Sequence, residues 1–398
     1  MNGAATRSEH GNRGPVVGVV LTSPYPLARV TGIGRFVQDL VRFLGLEGIK
    51  AEVVSPAGVP GPSAPGEVTL RWRVFASLEL ALATAVKLVR TRSTFQVVHA
   101  QQPHLQSLAA ILLGRILGKR AVLTVHVRPP VGPGMVRRLA HRLISELCMR
   151  TASVRVAVSP FVARTFQSKR PAVIENGVDT VFFSRSAEGR RKIRARLGLR
   201  AETAFVYAGR LTSTKGVDFL LDAADSELLD GRLFRLVLLG EVTPDEPDFL
   251  QDRLRSIANP TRILFVGSVT HELPEYLSAG DLFVAPSPYE GMPLAFLEAM
   301  ATGLPPLASD IPVHRMLVER SGVGWLFPSG DAQQLAKLMR NILDHGIPAQ
   351  WEEQARAMVH RCNDIRAMVA EYVRVYEGLS PQVEAEPAQA STIRSMFT

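Results

Sequence analysis

Short apolar runs alternate with amphipathic helical stretches along this sequence, and the alternation is completed twice. The apolar runs occupy residues 16–22, 51–55, 96–99, 121–126 and 155–159, and then 204–209, 235–240, 263–267, 281–285 and 304–309. Runs of this length without a polar face are typical of strands that are buried on both sides of a parallel sheet. Strands separated by helices predict a doubly wound α/β domain, and two rounds predict two such domains.

The chain of 398 residues is long enough for two domains of ordinary size. The pattern is interrupted near 177–200, after the segment AVIENGVD, whose Asn176-Gly177 pair predicts a turn. A last helical pattern covers about 350–378. We therefore predict the following units: a disordered leader at 1–14, a Rossmann-like domain at 15–180, a second one at 181–362, and a disordered tail at 380–398.

Composition limits the classes of protein to which the chain can belong. Hydrophobic residues make up 46% and charged residues 21%, which is typical of a globular protein. The two cysteines, Cys148 and Cys362, predict small buried side chains in a reducing cytoplasm. No apolar run approaches the ~20 residues that span a bilayer, and the first fourteen lack the apolar region of a signal peptide.

The net charge of +9 favours anionic partners such as nucleotide phosphates or an anionic membrane surface. No nucleic-acid-binding motif is present, so nucleic acid is not a predicted partner. An arginine-rich and alanine-rich composition is also common in some bacterial proteomes, and this explains most of the excess.

The stretch PSPYEGMPLAFLEAMATGLP, residues 286–305, predicts a buried strand that leads through a tight turn into a helix. Pro293 is predicted at the first helical position, where proline is favoured. Such a helix starts at the carboxyl edge of the sheet, where open α/β sheets bind ligands. Glu290 and Glu298 bracket the turn with seven residues between them. Taken alone, they fit helix-end or surface residues as well as they fit a site.

Three further segments follow predicted strands. AGRLTSTKG, residues 208–216, holds Arg210 and Lys215 five positions apart, so both cations can reach one anion. TGIGR, residues 31–35, opens a helix with glycines that let backbone approach a phosphate. TVHVRPP, residues 124–130, puts His126 just past a strand. Taken in isolation, these three segments would be interpreted as a solvated basic loop, a tight turn and a polar strand end, respectively.

In this order, the segments TGIGR, TVH, NGVD, GRL-x3-KG and E-x7-E resemble the motifs of the family 4 retaining glycosyltransferases. That family has the GT-B fold, in which two Rossmann-like domains face an interdomain cleft. The resemblance covers about residues 16–345 and implies that the donor binds to the second domain and the acceptor to the first. It also implies that a C-terminal helix at 363–379 packs back on the first domain.

Three positions depart from the family pattern. Thr31 takes the place of the first glycine of a pair, and Val127 stands where an Asp often follows the histidine. Pro306 replaces the usual Val or Ile. The second departure puts any role of that Asp in acceptor binding in doubt, whereas the third concerns a strand position and affects packing.

The resemblance implies a role for each matching residue. Glu290 would stabilise the oxocarbenium-like transition state, and His126 would lie near the sugar and the acceptor. Arg210 and Lys215 would neutralise the donor diphosphate. The other predicted donor-binding residues are Glu298 at the ribose, Val269 at the base, the backbone of Gly291, Met292 and Leu294 at the sugar hydroxyls, and Gly32 and Gly34.

We therefore predict a retaining glycosyltransferase that uses a nucleotide diphosphate sugar, expected to be UDP-linked. The sequence has no D-x-D and no metal-ligand spacing, so neither a metal nor another cofactor is predicted. The acceptor stays open among glycans, lipid-linked intermediates, cyclitols and natural products. Alternatives are a GT-B-fold phosphorylase, a nucleotide-sugar epimerase, or a non-catalytic sugar-nucleotide-binding subunit; the presence of both glutamates argues against the last.

Residues 135–150, MVRRLAHRLISELCMR, form a basic amphipathic pattern. Such a helix can lie on an anionic membrane, which would place the protein peripherally at the inner membrane face. It can equally be an ordinary surface helix of a Rossmann layer. The second interpretation is the commoner one, so a cytoplasmic protein is predicted.

Overall fold

The computed structural model describes residues 18–25, 27, 31–56, 67–68, 76–127, 135–166, 170–242 and 248–380. The predicted leader 1–14 and residues 381–398 of the predicted tail lie outside this part of the chain.

The first domain is built on a parallel sheet with helices on both faces. Its strands are β1 Gly18–Thr22, β2 Lys50–Pro56, β3 Glu67–Val68, β4 Val97–Gln101, β5 Arg120–Val125, β6 Val154–Ala157 and β7 Ala172–Val173. Their order in the sheet is β3-β2-β1-β4-β5-β6-β7. The helices are α1 Gly32–Leu46, α2 Ala76–Arg90, α3 Leu105–Ile116, α4 Met135–Thr151 and α5 Pro160–Arg164. The chain reverses direction across the sheet between β1 and β4, which is where such sheets bind ligands.

The second domain repeats this plan. Its strands are β8 Thr203–Ala208, β9 Phe234–Leu239, β10 Ile263–Gly267, β11 Leu282–Ala285, β12 Pro306–Ser309 and β13 Trp325–Phe327, in the order β10-β9-β8-β11-β12-β13. Its helices are α6 Ala187–Arg196, α7 Val217–Ala224, α8 Phe249–Ser256, α9 Leu273–Ala279, α10 Leu294–Ala301, α11 Pro312–Ser321, α12 Ala332–His345 and α13 Trp351–Cys362. The prediction of two doubly wound domains is confirmed. Strand β13 was not predicted, because three residues are too short to show a pattern.

The last helical pattern, predicted over about 350–378, is two helices. Helix α13 ends at Cys362, and α14 runs over Ile365–Glu377. Asp364 interrupts the pattern because it caps α14, accepting the backbone N–H of Arg366 at 2.8 Å. Helix α14 packs on α1 of the first domain, and Tyr372 and Phe36 are among the side chains buried between them and the sheet.

The predicted turn at Asn176-Gly177 is wrong. These residues form no turn, and the chain here runs beside the break between α13 and α14. The backbone N–H of Val178 donates to the Asn363 carbonyl at 2.8 Å, and that of Ile365 donates to the Val178 carbonyl at 3.0 Å. A Cβ on Gly177 would lie 2.7 Å from the Ile365 Cα, so glycine allows this approach. The chain therefore crosses between the domains twice, along two paired segments.

Candidate active site

The turn after β11 reaches the first domain. Gly291 lies against the backbone of His126, and a Cβ there would overlap the His126 carbonyl oxygen. The Asn176 side chain donates from Nδ2 to the Met292 carbonyl at 2.9 Å. Because His126 follows β5, these contacts bring the carboxyl edges of the two sheets together. The segments that follow β5 and β11, which were predicted from separate motifs, therefore meet between the two domains.

Glu290 and Lys215 form an ion pair at the mouth of α10. The Lys215 Nζ lies 2.5 Å from the Glu290 Oε1, and both side chains are mostly buried. The two loops approach through Gly216, which has a left-handed φ of 72° and packs against the Pro286 carbonyl. A side chain at Gly216 would collide with that carbonyl, so glycine is needed for the pair to form.

The electrostatics keep Glu290 ionised. Burial on its own would raise the pKa of Glu290. The Lys215 ammonium and its hydrogen bond, with smaller contributions from His314 and Ser287, hold that pKa below its ordinary value. A buried carboxylate that is ionised and already paired can stabilise developing positive charge without reorganisation.

His314 lies beneath this turn and is fully buried. Its ring is stacked on Phe296, with centroids 5.1 Å apart, and its Nδ1 lies 3.0 Å from the Ser309 carbonyl. Because a carbonyl only accepts, Nδ1 carries a proton. The hydroxyl of Ser309 donates to the Ser287 carbonyl at 2.5 Å, which links β12 to the turn that carries Glu290.

Glu298, on the second turn of α10, faces the first domain. Its Oε1 lies 4.0 Å from the Nε of Arg35 on α1. Burial raises the pKa of Glu298 to about 7, although Arg35 acts in the opposite direction, and nearby Asp39 adds to the rise. The pKa values of Glu290 and Glu298 are therefore shifted in opposite directions, because Lys215 is hydrogen-bonded to Glu290 at 2.5 Å, whereas Arg35 lies 4.0 Å from Glu298.

His126 is held neutral in a buried network. Its Nε2 donates to the Gln101 Oε1 at 2.8 Å, and burial lowers the pKa of His126 to about 3. Its backbone N–H donates to the Gln102 Oε1, also at 2.8 Å. Gln102 has a φ of 64°, a strained value for a residue with a side chain. Through its side chain, Gln102 holds the backbone of His126, which Gly291 of the second domain contacts.

The positions of the remaining predicted residues in the structure differ in part from those expected from the sequence. Pro293 is the residue before α10 and not its first helical residue, because its ψ of 110° is extended. At α1, the Gly34 N–H is already bonded to the Thr31 hydroxyl at 3.0 Å, whereas Gly32 has open space around it. Arg210 is exposed after β8, and Val269 is half-buried after β10. Leu294 packs with core residues of both domains.

Sequence reasoning missed four residues that shape the site: Arg35, Gln102, Asn176 and His314. Gln102 and Asn176 lie in polar segments directly after strands, which is a signal that could have selected them. Arg35 closes the TGIGR segment, which could have selected it, whereas His314 stands on a helix in a segment that matches no motif. Among the described residues, no group of three or more His, Cys, Asp or Glu could hold a metal ion.

Comparison with known proteins identifies the family. Residues 30–182 match the family model described as Glycosyltransferase Family 4, and residues 202–345 match that of Glycosyl transferases group 1. The chain belongs to the group 1 glycosyltransferases. The two matches correspond to the two domains, and the predicted membership is confirmed.

Two curated proteins are similar to part of the chain. An alpha-D-kanosaminyltransferase of Streptomyces kanamyceticus is 30% identical over 41% of this chain and 42% of its own length. The UDP-Gal:alpha-D-GlcNAc-diphosphoundecaprenol alpha-1,3-galactosyltransferase of Escherichia coli is 31% identical over 44% of this chain and 46% of its own. The match thus spans about half the length of these relatives.

Two solved structures share the fold over nearly the whole chain. Sucrose-phosphate synthase of Thermosynechococcus elongatus superposes with a TM-score of 0.74 at 21% identity, covering 91% of this chain and 98% of that one. Anabaena HepE in complex with UDP-glucose superposes with a TM-score of 0.72 at 20% identity, covering 90% and 99%. The architecture is that of the GT-B fold.

Proposed function

We propose that this protein is a retaining glycosyltransferase that transfers a sugar from a UDP-linked donor to a hydroxyl acceptor without a divalent metal. The observation that carries the proposal is the mostly buried Glu290–Lys215 ion pair at the start of α10, next to the contact between Gly291 and the His126 backbone. This arrangement offers a cation to a leaving phosphate and a carboxylate to a sugar that develops positive charge.

The transfer would proceed on one face of the sugar. The bond from the anomeric carbon to the diphosphate oxygen breaks while the bond to the acceptor oxygen forms, and the acceptor proton moves to the leaving diphosphate. Lys215 and Arg210 would neutralise that diphosphate in place of a metal ion. Glu290 would stabilise the oxocarbenium-like state, and Glu298 would bind the ribose. Closure of the two domains would exclude water.

A UDP-linked donor is supported by two similar proteins. The Escherichia coli relative is named for UDP-Gal, and Anabaena HepE was solved with UDP-glucose. We place the reaction in the cytoplasm, where Cys148 and Cys362, free in this structure, would stay reduced. Peripheral contact with an anionic membrane through residues 135–150 would be a property separate from this reaction.

The test has two stages. UDP-, GDP- and ADP-sugars are first screened by thermal shift, and we expect a UDP-sugar to raise the melting temperature most. Acceptors are then screened by mass spectrometry, and the anomeric configuration of the product is read by NMR. An inverted product would contradict the retaining mechanism. Conversion of the sugar nucleotide without consumption of any acceptor would indicate an epimerase instead.

A further inference from the structure

Three neighbouring helices of the first domain carry apolar side chains on their outer surface. Helix α2 packs against α3, and α3 packs against α4. The exposed residues are Leu78, Leu82, Val86 and Val89 on α2, Leu112 and Ile116 on α3, and Met135, Leu139, Leu143 and Leu147 on α4. Their exposed fractions lie between 38% and 80%. On α4 the four residues recur every fourth position, so they form a continuous stripe.

This outer surface, which we call the three-helix face, is not explained by the core. Helix α2 has a separate inward face that includes buried Leu80 and Leu88. A helix that is apolar on both sides is normally buried on both sides. Ten of the seventeen exposed large hydrophobic side chains in the described part of the chain lie on these three helices. A concentration of this kind marks an interaction surface.

The charges on the same three helices indicate which kind of partner this face binds. Arg90, Arg115, Arg138 and Arg142 are exposed on them. Glu146 is one of the few carboxylates there and is already paired with Arg150 at 2.7 Å. Isologous pairing of two copies would place this basic surface against itself, which is unfavourable. Anionic headgroups complement it, and the apolar side chains can enter the acyl boundary.

We propose that the three-helix face docks on a lipid bilayer with anionic headgroups. The protein would lie on the surface, since no helix among the described residues is long and apolar enough to cross a membrane. The membrane contact would then involve α2 and α3 as well as α4. Neither a single amphipathic helix nor a basic patch alone would bury as much apolar surface.

The position of the face bears on the acceptor, and this step rests on the proposed glycosyltransferase function. Helices that follow parallel strands start at the carboxyl edge of the sheet, so Leu78 and Met135 lie towards the cleft. A docked first domain would therefore present its acceptor side to the bilayer surface. The acceptor class that fits this arrangement is a hydroxyl-bearing group anchored in the membrane by a lipid.

The test is flotation of the full chain with phosphatidylcholine vesicles, with and without phosphatidylglycerol. We expect the protein to float with the anionic vesicles, to float at least about 10-fold less with neutral ones, and to be released by high salt. The double substitution Leu82→Ser with Leu143→Ser should lower the floating fraction by about 10-fold or more. Both positions are exposed, so folding should be preserved, as circular dichroism will verify.

Leu46→Ser is the matched control. Leu46 is 73% exposed, comparable to Leu82, but it lies on α1, which packs with α14 on the other face of the sheet. This variant should float like the wild type. The proposal is overturned if the wild type floats with neither vesicle, or if the double variant floats equally well. It is also overturned if light scattering shows a dimer that the double substitution dissociates.

UDP calorimetry on the same proteins separates the two proposals. The double variant should bind UDP like the wild type, because Leu82 and Leu143 belong to helices of the first domain, whereas Lys215 and Glu290 belong to the second. A loss of flotation with unchanged UDP affinity supports docking as a separate property. Flotation of a protein that binds no nucleotide sugar would leave docking intact and refute the proposed function.

Discussion

Replacement of Gly291 by alanine tests whether the contact between the two domains sets the geometry for turnover. The added Cβ would lie 2.9 Å from the His126 carbonyl carbon and closer still to its oxygen. Carbon atoms in contact settle at about 3.5–4.0 Å, and the oxygen contact is tighter still, so the two backbones must separate by at least about 1 Å. A misplacement of about 1 Å can cost on the order of 10²-fold in rate. Gly291→Ala should therefore lower kcat by about that factor.

The assay is release of nucleoside diphosphate from the donor, combined with UDP calorimetry and thermal unfolding. UDP affinity should stay within a few-fold of wild type, because Arg210 and Lys215 both belong to the second domain. Overpacking should cost about 1–3 kcal/mol of stability. Gly45→Ala is the control, since a Cβ at this position of α1 meets nothing within 4 Å. Wild-type kcat in Gly291→Ala would refute the idea that this contact positions the site.

Four further outcomes are expected. Glu290→Gln should lower kcat by about 10²-fold with nearly normal donor affinity, whereas Glu298→Gln should mainly raise the donor KM. Steady-state kinetics on both variants measures these effects, and a wild-type kcat in Glu290→Gln would show that Glu290 is structural. Lys215→Ala and Arg210→Ala should each weaken UDP binding by about 2 kcal/mol or more, which unchanged calorimetric affinities would contradict. Activity should survive dialysis against EDTA; loss that Mg²⁺ or Mn²⁺ restores would show metal dependence. Since the pKa of Glu298 is raised from 4.5 to about 7, the folded state binds the extra proton, so stability should fall as pH rises between these values. Melting curves across that window should show a smaller fall for Glu298→Gln, and equal slopes would contradict the raised pKa.

The sequence was sufficient for the architecture and for the family. Buried parallel strands have short apolar sequences, and the helices between them have amphipathic patterns. The order of strands and helices in each domain could therefore be predicted from local sequence. The end of one such pattern was harder to place. Asp364 breaks the last helical stretch because its side chain caps α14, and such a cap competes only weakly with an otherwise helical pattern.

The candidate residues Glu290, Lys215 and Arg210 could also be selected from the sequence, because the motifs carry them at fixed spacing. The ion pairs that these residues form and the protonation that follows from them could not be predicted in this way. Only the folded chain shows that Lys215 has Glu290 as its partner and that Glu298 faces Arg35 instead. These contacts join residues far apart in the chain, and their electrostatic effect depends on burial, which no local pattern specifies.

The sequence by itself determined which segments become strands and helices and which side chains stand at the carboxyl ends of the strands. Tertiary structure decided how the two domains meet: Gly291 against His126, Asn176 on Met292, and α14 on α1. It also decided that the apolar stripes of α2, α3 and α4 share one outer surface. The physical reason is that periodicity records the environment of each element separately, whereas the fit between elements arises only when their surfaces pack.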